Sequence, residues 1–298
     1  MAQPKVGEFQ PVARGFYLEG LAVDHARGIV WYSDVIGGGV HGVWPDGRTR
    51  SFNEDRMWTG GVMVNADGRV LSTGEGGIMW NDPQTGASGW LLRELEGKPI
   101  NGVNEMAPDG TGGIYFGTND LEMVIAGQPS RPTALYRLTV DGEVIKLAEG
   151  LNFTNGLMLS PDGKTFYCND TFVSTYAFDV QPDLTLTNRR VLVDRTDVDG
   201  MAVDVEGNLW ITGFGTSDIV RYRPDGSPLA SIPTPAGPVT QIRFFGPDRR
   251  DYYINAVYAG AGQDLAVGKL PTEKNSIVYR GRSDTPGVLL PPSRFRLG

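Results

Sequence analysis

Glu19, Asn104, Asn155 and Asp199 each open one copy of a short recurring phrase, and each carries a side-chain oxygen. The copies are Glu19-Gly-Leu-Ala-Val-Asp24, Gly60-Gly-Val-Met-Val-Asn65, Asn104-Glu-Met-Ala-Pro-Asp109, Asn155-Gly-Leu-Met-Leu-Ser160, Asp199-Gly-Met-Ala-Val-Asp204 and a degenerate Thr240-Gln-Ile-Arg-Phe-Phe245. Four hard oxygen donors at one fixed place in a repeat describe a site for a divalent cation. Ligation by oxygen alone suits Ca²⁺, the preferred ion, or Mg²⁺ or Mn²⁺, with Zn²⁺ also open. The two histidines, His25 and His41, fall in a hairpin turn and a third strand without ligand spacing. Cys168 is the lone cysteine, so neither an intramolecular disulfide nor a thiolate cluster can form, and its alternating strand makes it a small buried hydrophobe.

The first residues of the copies lie 41, 45, 51, 44 and 41 positions apart. A period in that range, filled with short strands and Gly-bearing turns, predicts an all-β, six-bladed β-propeller with four-stranded blades. The copies begin near 19, 60, 104, 155, 199 and 240 with no linker between them, which predicts a single domain over 1–298. Each phrase reads as an innermost strand, followed by a hairpin turn such as Pro161-Asp-Gly163 and an aromatic or β-branched second strand. Third strands are expected at Val40–Trp44, Leu135–Thr139 and Ile219–Arg223. Lys5–Phe9 and Ser276–Arg280 are candidates to pair, closing the ring with strands from both termini.

Fifteen residues after each copy begins, the second strand should have returned to the same face. This places Asp34, Glu75, Asn119, Asp170, Phe214 and Asn255 in a second ring, with strand-ending bonds to their own backbone as the structural alternative. The third repeat is lengthened by Asn119–Pro132, whose Met123, Val124 and Ile125 suit a partial lid as well as simple loop variation.

The chain has 298 residues, 27 Lys plus Arg against 35 Asp plus Glu, and a formal charge of −8. That balance argues against nucleic acid and anionic membrane as partners, because both need clustered positive charge. No apolar stretch is long enough to span a bilayer, and the first residues have no apolar core of a secretory leader, so cytoplasmic residence is the expectation. The expected partner is a small-molecule substrate, with the oligomeric state left open.

The ordered set of repeats resembles the SMP-30/gluconolactonase/luciferin-regenerating-enzyme family. The resemblance covers essentially the whole chain and rests most on Glu19-Gly20, on Asn155-Gly-Leu-Met-Leu-Ser-Pro-Asp-Gly-Lys164 with Phe166-Tyr167, and on Asp199-Gly-Met-Ala-Val-Asp-Val-Glu-Gly-Asn-Leu-Trp210. It implies one cation held by Glu19, Asn155 and Asp199, with Asn104 touching the metal or its water. One departure stands out. Sugar-lactone hydrolases of the family carry Arg-x-Asn-Asp at the third blade, where this chain has Gly102-Val-Asn-Glu105. Without that guanidinium fork, a strong reason to bind a polyhydroxylated lactone is gone. Glu122 is the nearest match to a further acidic residue of the family. Met57, Trp58, Phe172, Phe214 and Tyr258 offer apolar or aromatic groups near the expected mouth.

The chemistry expected is metal-assisted hydrolysis of a lactone or ester less polar than a sugar lactone. Asp199 is the preferred general base, Asp170 the second candidate, and Asn104 a donor to the developing oxyanion. Trp58, Phe172, Phe214, Asn104 and Glu122 are the expected substrate contacts. Two alternatives keep the cation: a hydratase, lyase or isomerase working through an enolate, and a non-catalytic binding propeller.

Overall fold

A computed structural model describes residues 4–120, 123, 128, 131–235 and 237–298. The repeats fold as expected into six four-stranded antiparallel sheets, the blades of a six-bladed β-propeller. Two compact units divide them. One comprises Met1–Leu18 with Asn155–Leu289, the other Glu19–Thr154 with Leu290–Gly298.

In the second of these units, blade 1 is built from Leu18–Asp24, Ile29–Asp34, Val40–Val43 and Thr49–Phe52. Blade 2 follows with Thr59–Val64, Val70–Gly74, Ile78–Asn81 and Ser88–Leu92, and blade 3 with Gly102–Pro108, Ile114–Asn119, Thr133–Leu138 and Val144–Leu151. The core lies between neighbouring blades. Trp31, Val40 and Phe52 of blade 1 pack with Val62, Val64 and Val70 of blade 2. Leu71, Ile78 and Trp80 of blade 2 pack with Met106, Phe116 and Leu138 of blade 3. Phe295 inserts into this second cluster, carried there by a tail that Asn65 holds. The Asn65 Oδ1 accepts from the Phe295 N–H (2.9 Å) and the Ser293 hydroxyl (2.8 Å).

The other unit holds blade 4 (Thr154–Leu159, Thr165–Asp170, Ser174–Val180, Leu186–Val193) and blade 5 (Met201–Val203, Leu209–Thr212, Asp218–Tyr222, Ile232–Pro233). Blade 6 takes Val239–Phe245, Asp251–Ala256 and Ser276–Arg282 and adds Gln10–Gly15 as its outer strand. Strands from both chain ends therefore share one sheet, as predicted. The N-terminal partner is Gln10–Gly15, not Lys5–Phe9, because the chain turns at Val6-Gly7, where Glu8 N–H bonds to Lys5 O at 3.0 Å. Pro11 is tolerated there because the strand is an edge and a bulge follows it. The third strands appear where expected, at Val40–Val43, Thr133–Leu138 and Asp218–Tyr222.

The recurring phrase has a physical reading at each of its conspicuous positions. Its sixth residue shapes the hairpin turn: Asp24 Oδ1 accepts from Ala26 and Arg27 N–H groups, Asp109 Oδ1 from Thr111 and Gly113, and Asp204 Oδ1 from Glu206 and Asn208. Its second residue is glycine where neighbouring first strands nearly touch. A Cβ on Gly156 would lie 2.6 Å from Asp199 O, and one on Gly200 would collide with Thr240 O. Struts then fix the phrase's first residue. Ser33 Oγ donates to Gly60 O (2.6 Å), Thr73 Oγ1 to Asn104 O (2.6 Å) and Asn169 Nδ2 to Asp199 O (2.7 Å). In each case the second strand of one blade holds the leading carbonyl of the next.

Two substitutions test this arrangement by urea unfolding. Gly200→Ala should lower stability by about 2 kcal/mol, since overpacking costs ~1–3 kcal/mol where backbone cannot retreat. Asn169→Ala should lose roughly 2 kcal/mol, because Asp199 O loses one of its donors and the buried Thr175 hydroxyl loses its acceptor. Midpoints equal to the parent protein's for both variants would show that the interblade contacts do not hold the structure.

Candidate metal and catalytic site

Within the unit that holds blades 1 to 3, the first strands bring Glu19, Asn104 and Glu105 into electrostatic contact. The blade 3 strand carries a bulge: Val103 faces Thr118 and Met106 faces Phe116, so Asn104 and Glu105 share the space opposite Gly117. A bulge turns two consecutive side chains away from strict alternation, and both residues are buried. Glu105 Oε1 accepts the Met106 N–H at 2.9 Å, and it lies where a Cβ on Gly61 would stand, 2.5 Å away. Gly61 therefore leaves room for the Glu105 carboxylate.

The consequence falls on Glu19. Burial first, and the neighbouring Glu105 charge second, raise its pKa well above the usual carboxylate range, while a hydrogen bond from the Asn104 amide opposes the rise. Two carboxylates in a desolvated setting are costly to ionise together. A divalent cation would offset that cost, and hard oxygens are the donors such an ion takes. The side chains present thus fit an oxygen-ligated cation.

In the other unit, Asn155 and Asp199 begin the phrases of blades 4 and 5, and both are buried. Their backbones are adjacent, since Gly156 N–H donates to Asp199 O at 2.8 Å. Asp199 N–H in turn donates to Thr212 O at 2.9 Å, so the residue is held from both sides. Asp170 ends the second strand of blade 4, almost fully buried, with its carbonyl accepting the Val173 N–H at 2.9 Å. Among the described residues, no three His, Cys, Asp or Glu side chains gather as a metal-holding group. The set expected from the sequence contains only two such carboxylates, the rest being amides.

The second ring is partly as expected. Asp34, Asn119, Asp170 and Asn255 are buried at or near the ends of their strands. Glu75 is exposed and Phe214 sits on a turn, because their strands stop earlier, at Gly74 and Thr212. Asp34 takes the structural role, its Oδ1 accepting Ile36 and Gly37 N–H groups at 3.2 and 2.8 Å. Of the remaining expected contacts, Trp58 is half-buried and its N–H donates to Val35 O. Phe172 and Phe214 meet edge to face at 5.9 Å. Glu122 lies outside the described residues, as does most of Asn119–Pro132; at that segment's ends Arg131 Nη2 donates to Asp120 Oδ1 at 2.8 Å.

His41 is structural, with Nδ1 2.8 Å from Ser51 Oγ and Nε2 3.0 Å from Gly38 O. Cys168 is fully buried, and burial pushes its thiol pKa up, which suits packing and not nucleophilic attack. No helix among the described residues is long and apolar enough to cross a membrane. The positioning residues Ser33, Thr73 and Asn169 went unread in the sequence. Their signal is a polar residue just before the end of a buried second strand.

The profile of the SMP-30/Gluconolactonase/LRE-like region matches residues 18–258. Regucalcin of Danio rerio is 32% identical over 189 residues, covering 60% of this chain and 62% of that protein. The chain's match thus spans less than two thirds of that relative's length. Regucalcin of Xenopus laevis is 29% identical, covering 68% and 70%. Among solved structures, a luciferin-regenerating enzyme superposes with a TM-score of 0.81 at 20% identity, covering 97% of this chain and 99% of its own. A gluconolactonase from Xanthomonas campestris superposes with a TM-score of 0.75 at 25% identity, covering 95% and 91%. The chain belongs to the SMP-30/gluconolactonase/LRE-like family.

Proposed function

We propose that this protein is a divalent-metal-dependent hydrolase of a lactone or ester less polar than a sugar lactone. The observation that carries the reading is the buried Glu19 carboxylate, bonded by Asn104 and crowded by Glu105, in a family that includes lactonases. Glu19, Asn155 and Asp199 would hold the cation, with Asn104 on the metal or its water. What supports the assignment is their common place at the head of the repeat and the family's pattern. Ca²⁺ is the preferred ion; one structural relative is a calcium-binding regucalcin from Agrobacterium tumefaciens, at 21% identity.

Bound there, a divalent cation supplies Lewis acidity that polarises a carbonyl and lowers the pKa of water. The chain's own groups do the rest. Asp199 accepts the proton of the attacking water, with Asp170 as the second candidate. Asn104 Nδ2 donates to the oxygen on which negative charge develops. Water adds to the carbonyl carbon, the C–O bond to the leaving oxygen breaks, and that oxygen takes the proton to give a hydroxy acid, or an acid and an alcohol. Gly102 contributes no side chain for polyol oxygens, which supports the less polar substrate. A virginiamycin B lyase superposes with a TM-score of 0.58 at 13% identity. The architecture alone therefore does not choose hydrolysis over elimination.

Four measurements test the proposal. Chelation should abolish turnover of lactones and aryl esters, and added Ca²⁺ should restore it; full turnover in metal-free protein would overturn the metal requirement. Glu19→Gln should weaken calorimetric cation binding by at least about tenfold, because ligand charge sets the affinity of oxygen sites. Asp199→Asn should reduce kcat by about 10² to 10⁴, the usual contribution of a positioned base. Reaction in ¹⁸O-water must place solvent oxygen in the acid product, and unlabelled product would point to elimination or isomerisation instead.

A further inference from the structure

After Asp170 the chain of blade 4 turns through Thr171, Phe172 and Val173 before the third strand begins at Ser174. Phe172 sits there at φ 72°, a left-handed backbone that aromatic residues rarely adopt. Its side chain is also 60% exposed. The fold thus bears both a strained backbone and an uncovered ring. Glycine would satisfy the turn without either, so the ring itself calls for a role.

The turn is rigidly tied to one neighbour. Phe172 N–H donates to Thr196 O at 2.9 Å, and Thr171 Oγ1 donates to Val198 O at 2.8 Å. The turn that carries Phe214 is tied to the same segment, with Asp197 accepting from Gly215 N–H (2.6 Å) and Thr216 Oγ1 (2.8 Å). Behind Phe214 stands Gly262, where a Cβ would lie 2.7 Å from the ring. Phe214 backs Phe172 at 5.9 Å with an interplanar angle of 87°. Residues 196–198 run directly into Asp199. Both aromatic turns are therefore hydrogen-bonded to the segment 196–198 that leads into Asp199, within one unit.

We propose that Phe172, backed by Phe214, is an aryl-binding ledge that selects substrates bearing an aromatic ring beside the hydrolysed lactone or ester. This rests on the functional reading above, in that the reacting carbonyl is brought to Asp199. An exposed ring already in edge-to-face contact on one side offers its remaining surface to a second ring. The exposed patch, Phe172 with Val173, is too small for a protein partner, whose interface needs on the order of 1,000 Å².

The test compares γ-phenyl-γ-butyrolactone with γ-butyrolactone on the full-length protein. Saturation-transfer NMR on metal-free protein reads binding without turnover. The phenyl protons should receive the strongest transfer, and Phe172→Gly should weaken the phenyl lactone roughly three- to tenfold, the worth of one aromatic contact. The unsubstituted lactone, which has no ring to lose, should weaken by clearly less than the phenyl lactone, Phe172→Trp should keep the preference, and the Tm of Phe172→Gly should equal or exceed the parent's. Equal weakening of both lactones, unchanged affinity for the phenyl lactone, or no phenyl-lactone binding at all would overturn the ledge. Hydrolysis is scored separately. A phenyl preference without turnover sinks the hydrolase and keeps the ledge, whereas turnover of both lactones with unchanged kcat/KM in Phe172→Gly does the reverse.

Discussion

Neighbouring first strands approach so closely that a methyl group cannot stand between them. Gly20 faces the backbone of Gly60, Gly61 faces Asn104, Gly156 faces Asp199 and Gly200 faces Thr240. Close-packed interiors transmit small displacements, so this approach sets where every phrase's leading side chain can be. The polar struts from Ser33, Thr73 and Asn169 then fix the leading carbonyls with hydrogen bonds. Of the proposed ligands, Asn104 and Asp199 thus have their main chain fixed before their own rotamers matter. Glu105 and Gln241 occupy the glycine position in the last blade of each unit, and each bonds its side-chain oxygen to the N–H of the following residue.

Electrostatics separates the carboxylates that shape turns from the one disfavoured as an anion. Asp24, Asp109 and Asp204 are buried carboxylates too, yet backbone N–H groups satisfy them and they belong to turns. Glu19 has a carboxylate neighbour and is destabilised as an anion. Desolvation combined with a specific charged neighbour is a more discriminating mark of chemistry than acidity alone.

Much of this was legible in the sequence, for identifiable reasons. The repeat period fixes blade number, and the polar heads of the phrases stand out because the rest of each strand is apolar. Gln10–Gly15 was hidden, since Pro11 and Arg14 spoil the strand pattern and only the edge position makes them acceptable. Glu75 and Phe214 were assigned by counting a constant offset, but strand lengths differ between blades, so Glu75 falls on an isolated bridge to Gly102 and Phe214 on a bend. The bulge at Asn104-Glu105 leaves no trace in alternation. Its effect on Glu19 could be found only from coordinates. Asn169 went unread because an amide one residue from a strand end looks like an ordinary strand stop, and only its strut to the next blade gives that polarity its reason.

The seat of Phe295 bears on the order in which the protein can assemble. Blade 3 ends at Leu151, yet the cluster it shares with blade 2 includes a ring from Phe295. The 143 residues between them must be translated first, taking on the order of 10 s at ordinary ribosomal rates. Until then the half of the protein made earliest lacks the ring that completes this cluster, and its apolar surface stays open to wrong partners.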